Sequence, residues 1–449
     1  MSTDGPTTAS DLRTIPLGGR PQGHLGGLPD VRRSRTVPRF DDMTTDATGT
    51  LTTPTPVAAP GPTAPPRPEA RSLAPDLARG ILLLFIALAN VWGYLWAAGG
   101  FEEVGARPVG GTTLDHAVDG LTAFFVDDRS RPMFAILYGF GLATMAARLA
   151  ARGADRRRVR RVLARRSAWL VVLGVLHAAL LFGGDILAAY GVTGLVALAF
   201  LHRSRVTLWI WFAVASLLAT AGGTAALLLV DPELMAGGAP PTSYLASVAE
   251  RLMSSGLAMT VSVVLLFFVP QVVLGILLAR AGWLSRPWDH RRRLGQVAVV
   301  GAVVNVVANL PFALAVAQVW HPSPTAATVL ELVHVLSGVV VGLGYVCLFG
   351  WLAAVWHDRR DVHPAVRAVT AVGERSLTSY LLQSLMFAPL LSAWGLGLGG
   401  RIGTAQAAAL AVGVWLVTVM IAVALDRTGR RGPFEVLLRR LTYGRPARP

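Results

Sequence analysis

The chain contains no lysine, so all 41 of its Lys and Arg positions are arginine. It has one cysteine, Cys347, in 449 residues, which excludes an intramolecular disulfide and any metal site built on several thiolates. Charge is also scarce: charged residues make up 15% of the chain against 53% hydrophobic. A chain with that balance cannot bury its apolar residues in one soluble core and still cover itself with polar surface. No phosphate-binding Walker segment, no G-x-S-x-G elbow and no repeat of one half in the other is present, so those nucleotide, hydrolase and inverted-repeat transporter signatures are missing.

What is present is a series of long apolar segments with arginine between them. The formal net charge of +15 would suggest nucleic acid if it formed one patch on a soluble domain. Here it is spread over short loops, so the bilayer is the expected partner and nucleic acid is not. The expected class is all-α, a polytopic transmembrane helical bundle. Residues 1–75 differ from the rest: they are rich in Pro, Thr, Gly and Arg and have no apolar period, and are expected to form a disordered cytoplasmic extension. They contain no continuous apolar run of signal-peptide type. Met43 is a second candidate start. Residues 76–426 then form the bundle, and 427–449 a basic cytoplasmic tail.

With about 20 apolar residues per crossing, the spans fall near 77–98, 131–149, 167–183, 186–202, 206–230, 257–279, 294–318, 327–356, 368–394 and 403–425, about ten in all. Cytoplasmic loops collect arginine. With both termini inside, residues 1–75, the inner segments 148–166, 202–205, 286–293, 357–367 and the tail place roughly 35 of the arginines on the cytoplasmic side, whereas the outer segments carry acids. Adding or deleting one crossing would invert every later loop. The expected place is therefore a bacterial plasma membrane, crossed many times, with the 148–166 arginine run on anionic headgroups. The stretch 113–126 is too short and acidic to cross, and reads as an amphipathic or re-entrant segment on the outer face.

Against this map the stretch HAALLFGGDILAAY (177–190) stands out. His177 lies roughly 16 Å beyond Arg166 along a helix, inside hydrocarbon, where ionisable groups are costly. Gly183-Gly184 breaks that helix, and Asp185 follows where it can cap the next span. Arg129 and Arg131 open the second span on the same side, so one guanidinium is expected against Asp185 with His177 beneath. Two readings stay open: a cap and an interhelical hydrogen bond, or a site facing a cavity.

The same stretch, with its preceding arginine, resembles the YeiB-like bacterial membrane proteins, domain of unknown function 418. Four further segments agree in order: DLARGILLLFIALAN (76–90), RSRPMFAILYGFGLA (129–143), VGERSLTSYLLQSLMF (372–387) and GPFEVLLRRLTYG (432–444). On that resemblance Asp76, Arg79, Gly80, Asn90, Arg131, Phe134, Gly139, His177, Gly184, Asp185, Tyr190, Gly373, Thr378, Tyr380, Gln383 and Ser384 occupy the family's motif positions. Ala135, Tyr138 and Arg129 depart mildly from a serine, a phenylalanine and a lysine common there.

The family's first span is in turn similar to those of membrane acyltransferases, the type 3 and heparan-glucosaminide acetyltransferase kinds, although Asn90 stands where type 3 enzymes have an essential histidine. The analogy implies a membrane acyltransferase with His177 as general base or acyl carrier. Asp185 would orient it, and Arg131 and Arg129 would hold an anionic donor or an oxyanion. Asp76, Arg79 and Asn90 are expected as a second cluster, and Tyr190, Thr378, Tyr380, Gln383 and Ser384 as substrate-binding positions. The residues name no cofactor; the analogy admits acyl-CoA. The rival reading is a transporter using the same groups as a substrate or proton path.

Other patterns are weaker. GLGLGG (395–400) has dinucleotide-loop spacing, but no strand precedes it, so it is expected to be a plain loop. Glu331 and His334 share a helix face, but a carboxylate-bridged metal site wants two such pairs, so no metal is expected. Asn305, Asn309 and Gln318 read either as interhelical hydrogen bonders or as a polar path.

Overall fold

A proline in the first turn, Pro75, starts helix α1 (Ala74–Val91); its missing N–H costs nothing there because that donor has no intrahelical partner. The computed structural model describes residues 72–96, 100–229, 240–356 and 363–444. The expected disordered extension and the candidate start at Met43 lie outside the described residues, as do parts of two loops used to count charge.

Every element among the described residues is helical, apart from one isolated bridge between Phe101 and Pro108. After α1 come α2 (Thr113–Phe125), α3 (Ser130–Ala151), α4 (Arg156–Leu180), α5 (Leu187–Ala197), α6 (Arg205–Leu229), α7 (Tyr244–Val264) and α8 (Val269–Ala281). Then follow α9 (Arg291–Val316), α10 (Pro324–Trp356), α11 (Pro364–Glu374), α12 (Ser376–Leu391), α13 (Thr404–Arg427) and α14 (Pro433–Tyr443). GLGLGG lies in a turn that ends in a short 3-10 segment, with no strand before it.

Among the described residues seven helices are long and apolar enough to cross a membrane, or eight if the α7–α8 pair, bent by 61°, is one span. The chain is therefore an all-helical, multi-pass membrane protein. Ten crossings are reached only by adding the two predicted spans that are shorter in the structure. Span 186–202 is the helix α5 followed by turns at 198–203. Span 368–394 is split at Arg375 into α11 and α12. The bend between α7 and α8 has a local cause: Pro270 cannot donate to, and sterically excludes, the carbonyl four residues earlier.

The stretch 113–126 forms α2, which carries a capping box between Thr112 and Asp115. Its acids Asp115 and Asp119 are buried, while Leu114, Leu121 and Phe125 are exposed, the reverse of a soluble amphipathic helix. The basic tail also holds an element the sequence reading lacked: α14 packs back on α4 and α12.

Helices meet most closely where glycine permits. A Cβ on Gly373 would lie 1.7 Å from the Asp76 carbonyl oxygen, bringing α11 onto the start of α1. On Gly174 it would lie 2.2 Å from the Ala188 nitrogen and 2.6 Å from an Asp185 carboxylate oxygen. Gly174 thus lets α5 and its leading acid sit directly against α4.

Candidate functional site

Helix α4 ends at Leu180, and the backbone N–H groups of Leu181 and Phe182 both donate to the His177 carbonyl. The glycine pair turns the chain, so that Asp185 comes back beside His177 across the gap left by Gly174. One Asp185 oxygen accepts from the Ala188 N–H at 2.9 Å, the expected cap of the next helix. The other lies 2.8 Å from His177 Nδ1. Tyr380, from α12, donates its hydroxyl to that second oxygen at 3.2 Å, and its ring centroid lies 4.9 Å from the His177 ring.

The result is a buried His–Asp–Tyr group with 1% side-chain exposure at both His177 and Asp185. His177 Nε2, the nitrogen turned away from Asp185, has no hydrogen-bond partner. A buried polar atom left unpaired costs about 1–3 kcal/mol. One turn along α12 from Tyr380, Gln383 donates to the Leu83 carbonyl at 3.1 Å and leaves its own Oε1 unpaired. Ser384 lies beside the Tyr94 hydroxyl.

A cavity of about 410 Å³ opens at this end of α4. Leu181, Phe182, Gly183 and Gly184 line it, with Tyr94 and Trp394 opposite and Glu250, Arg251 and Ser254 from α7. It stops one helical turn from His177, which does not line it. Tyr94 stacks on Phe182 at 4.9 Å and donates to the Leu181 carbonyl at 3.2 Å, so these two rings close the approach. Arg251 bonds the Ala179 carbonyl through Nε, while its Nη2 and the Trp394 Nε1 are buried without partners.

The arginines expected beside Asp185 are elsewhere. Arg131 is ion-paired with Asp128 and lies near the Phe267 ring. Only its backbone carbonyl approaches the α5 side, accepting from the Tyr190 hydroxyl at 2.7 Å. Arg129, fully buried, donates to the Asp127 carbonyl at 2.5 Å and to Asn305 Oδ1 at 3.1 Å, and lies 3.4 Å from a His334 ring nitrogen. Two residues apart at a helix start, the two side chains point about 200° apart around the axis, so they cannot serve one carboxylate together.

The second expected cluster also divides. Asp76 and Arg79 pair at 3.0 Å, but Asn90 lies roughly 17 Å beyond Arg79 along α1. Thr378 joins neither group: with the N–H groups of Leu377 and Thr378 it binds the Glu435 carboxylate of α14 at 2.5–3.1 Å. Glu331 accepts from the Gly105 N–H, whereas His334 bonds Asn309, so that pair has separate partners. Asn309 also meets Ser337 at 3.0 Å, joining α9 to α10.

Sequence reasoning missed Tyr94 and Arg251. A signal existed for the second: Arg251, like Arg107, Arg129 and Arg131, is an arginine in the arginine-poor half of the charge map, where headgroup anchoring does not explain it. Arg107, for instance, is buried between Asp119 and Asp127 at 3.3 and 2.5 Å.

Residues 278–445 match a family described as "Protein of unknown function (DUF418)". The likeness to that family covers this C-terminal part of the chain. Tyr380 and Glu435 lie inside the match, and His177 and Asp185 precede it. The chain is also similar to the uncharacterized protein YeiB of Escherichia coli, 29% identical over 398 residues, 83% of this chain and 96% of that one. It resembles the uncharacterized protein YxaH of Bacillus subtilis at 25% identity over 353 residues, 73% of this chain and 83% of that protein. The family resemblance read from the motifs is thus shown, and neither relative's name carries an activity.

Proposed function

We propose that this DUF418 protein is a membrane acyltransferase whose general base is His177. The observation that carries the reading is the buried His177–Asp185 pair at 2.8 Å with Nε2 left without a partner. An acid on Nδ1 fixes the tautomer in which Nε2 is the proton acceptor. Tyr380 and the Ala188 N–H hold the acid in place.

In this scheme Nε2 takes the proton of an acceptor hydroxyl as its oxygen attacks the carbonyl of an acyl thioester such as acyl-CoA. The carbon–sulfur bond breaks, and the leaving thiolate takes the proton back from the imidazolium, leaving an ester and a free thiol. The 410 Å³ cavity is the acceptor or donor entrance, reached when Tyr94 and Phe182 part. Arg251 takes the anion-binding role first given to Arg129 and Arg131, because its Nη2 is unpaired. Asp76 and Arg79 stand by the opposite end of α1, where a cytoplasmic donor would approach. This arrangement assumes both termini inside a bacterial plasma membrane, residues 76–426 as the bundle, and the 148–166 run on anionic headgroups.

One observation favours transport as a second reading. A buried polar chain runs from Asp119 through Arg107, Asp127 and Arg129 to His334, Asn309 and Ser337, and it bypasses His177. In proteoliposomes with labelled acyl-CoA, the enzyme reading expects label on an acceptor and none with His177→Ala. Absence of label together with a proton or solute flux would reject the enzyme in favour of transport.

A further inference from the structure

A second cavity, about 390 Å³, lies between α3, α6, α8 and α10, and none of the histidine-site residues His177, Asp185 and Tyr380 lines it. Its ionisable and amide side chains, Asp128, Arg131, Gln271 and Glu331, lie near the N-terminal ends of α3, α8 and α10, and Ser216, Thr220 and Thr224 add hydroxyls along α6. From Glu331 the wall continues along α10 through Leu336 to Val340, roughly 14 Å, with Phe212 of α6 also lining it. Only 11% of the α6 membrane window is buried inside the protein, so the α6 side of the cavity stands at the periphery, where hydrocarbon is the solvent.

Gln271 is 3% exposed, and its Oε1 has no hydrogen-bond partner. A buried carbonyl oxygen of that kind wants a donor. Across the cavity the guanidinium of Arg131, its side chain 45% exposed, is the cation. One guanidinium faces two carboxylates, so the lining is not suited to a purely anionic head.

We propose that this cavity binds one phospholipid with a primary-amine, zwitterionic head, an ethanolamine phospholipid of the surrounding bilayer. The lipid phosphate accepts from Arg131. Its ammonium donates N–H to Gln271 Oε1 and to the Glu331 carboxylate, and one acyl chain lies along Leu336–Val340 and Phe212. A choline head carries the same charges but has no N–H to give, and a glycerol head has no cation. The chemistry therefore ranks ethanolamine above both. The inference does not depend on acyl transfer at His177.

The test is native mass spectrometry of the purified full chain, in detergent, with ethanolamine, choline and glycerol phospholipids of matched acyl chains. One retained ethanolamine lipid is expected, with choline and glycerol lipids retained at least tenfold less. Gln271→Leu should remove that preference. Thr220→Trp, which fills the cavity from peripheral α6 and leaves Arg131, Gln271 and Glu331 in place, should remove the bound lipid while the melting temperature without lipid stays near wild type. Equal retention of the three headgroups, or an ethanolamine preference that survives both substitutions, would overturn the proposal.

Discussion

Gly174 is the residue on which the histidine site's geometry rests. Its missing Cβ is the space occupied by the Ala188 nitrogen and an Asp185 oxygen, so a methyl group there must push α5 away. Gly174→Ala is expected to destabilise the protein by about 1–3 kcal/mol, as other overpacking changes do, and to separate the acid from the imidazole. Gly413→Ala is the control: nothing lies within 4 Å of its added carbon, and alanine favours a helix by up to about 1 kcal/mol. Thermal melts of both variants in detergent check the pair; equal shifts would mean the close approach is not as described. His177 and Asp185 were legible in the sequence because an imidazole inside an apolar run, followed by a glycine break and an acid, already implies a cap and a neighbour. The partners of Arg129 and Arg131 were not, since spacing places two residues on a helix but does not say which helices stand on either side.

At the scale of elements, the joint between α12 and α14 centres on one carboxylate, beside the Phe434 N–H that donates to the Thr378 hydroxyl at 3.2 Å. Glu435 accepts from the Leu377 and Thr378 N–H groups and from the Thr378 hydroxyl, supplying to α12 the acceptors that the start of a helix lacks. Glu435→Ala should cost about 0.5–2 kcal/mol, the range for a lost cap. It should also speed hydrogen exchange at the Leu377 and Thr378 amides, with the centre of α10 unaffected. Unchanged exchange there would show that the tail helix is held without that carboxylate. The sequence showed an apolar run at 368–394 but not its division, because the break at Arg375 is maintained by distant groups: that guanidinium bonds the Arg430 carbonyl and Asp426. The short α5 has the same lesson, since hydropathy measures how apolar a run is and not where its helix stops.

At the scale of the whole molecule, composition made the helical membrane class plain, and the apolar runs located most of its long helices. Orientation rests on arginine asymmetry. Single cysteines in a Cys347→Ala background test it, since Cys347 is buried and alanine leaves no competing thiol. With an impermeant thiol reagent on intact cells, Arg401→Cys is expected to label and Arg157→Cys only after lysis. The opposite pattern would invert the bundle and put the 410 Å³ cavity on the cytoplasmic side. That outcome would leave the His177–Asp185 geometry intact but change which substrates reach it.

The central claim is that the Asp185-oriented imidazole moves a proton during acyl transfer. The most direct measurement is single-turnover transfer from radiolabelled acyl-CoA by the purified full chain, wild type against Asp185→Asn. A positioned general base contributes about 10²–10⁴-fold, so the account predicts a rate at least about 100-fold lower in Asp185→Asn at an unchanged melting temperature. Equal transfer rates in the two proteins would contradict it.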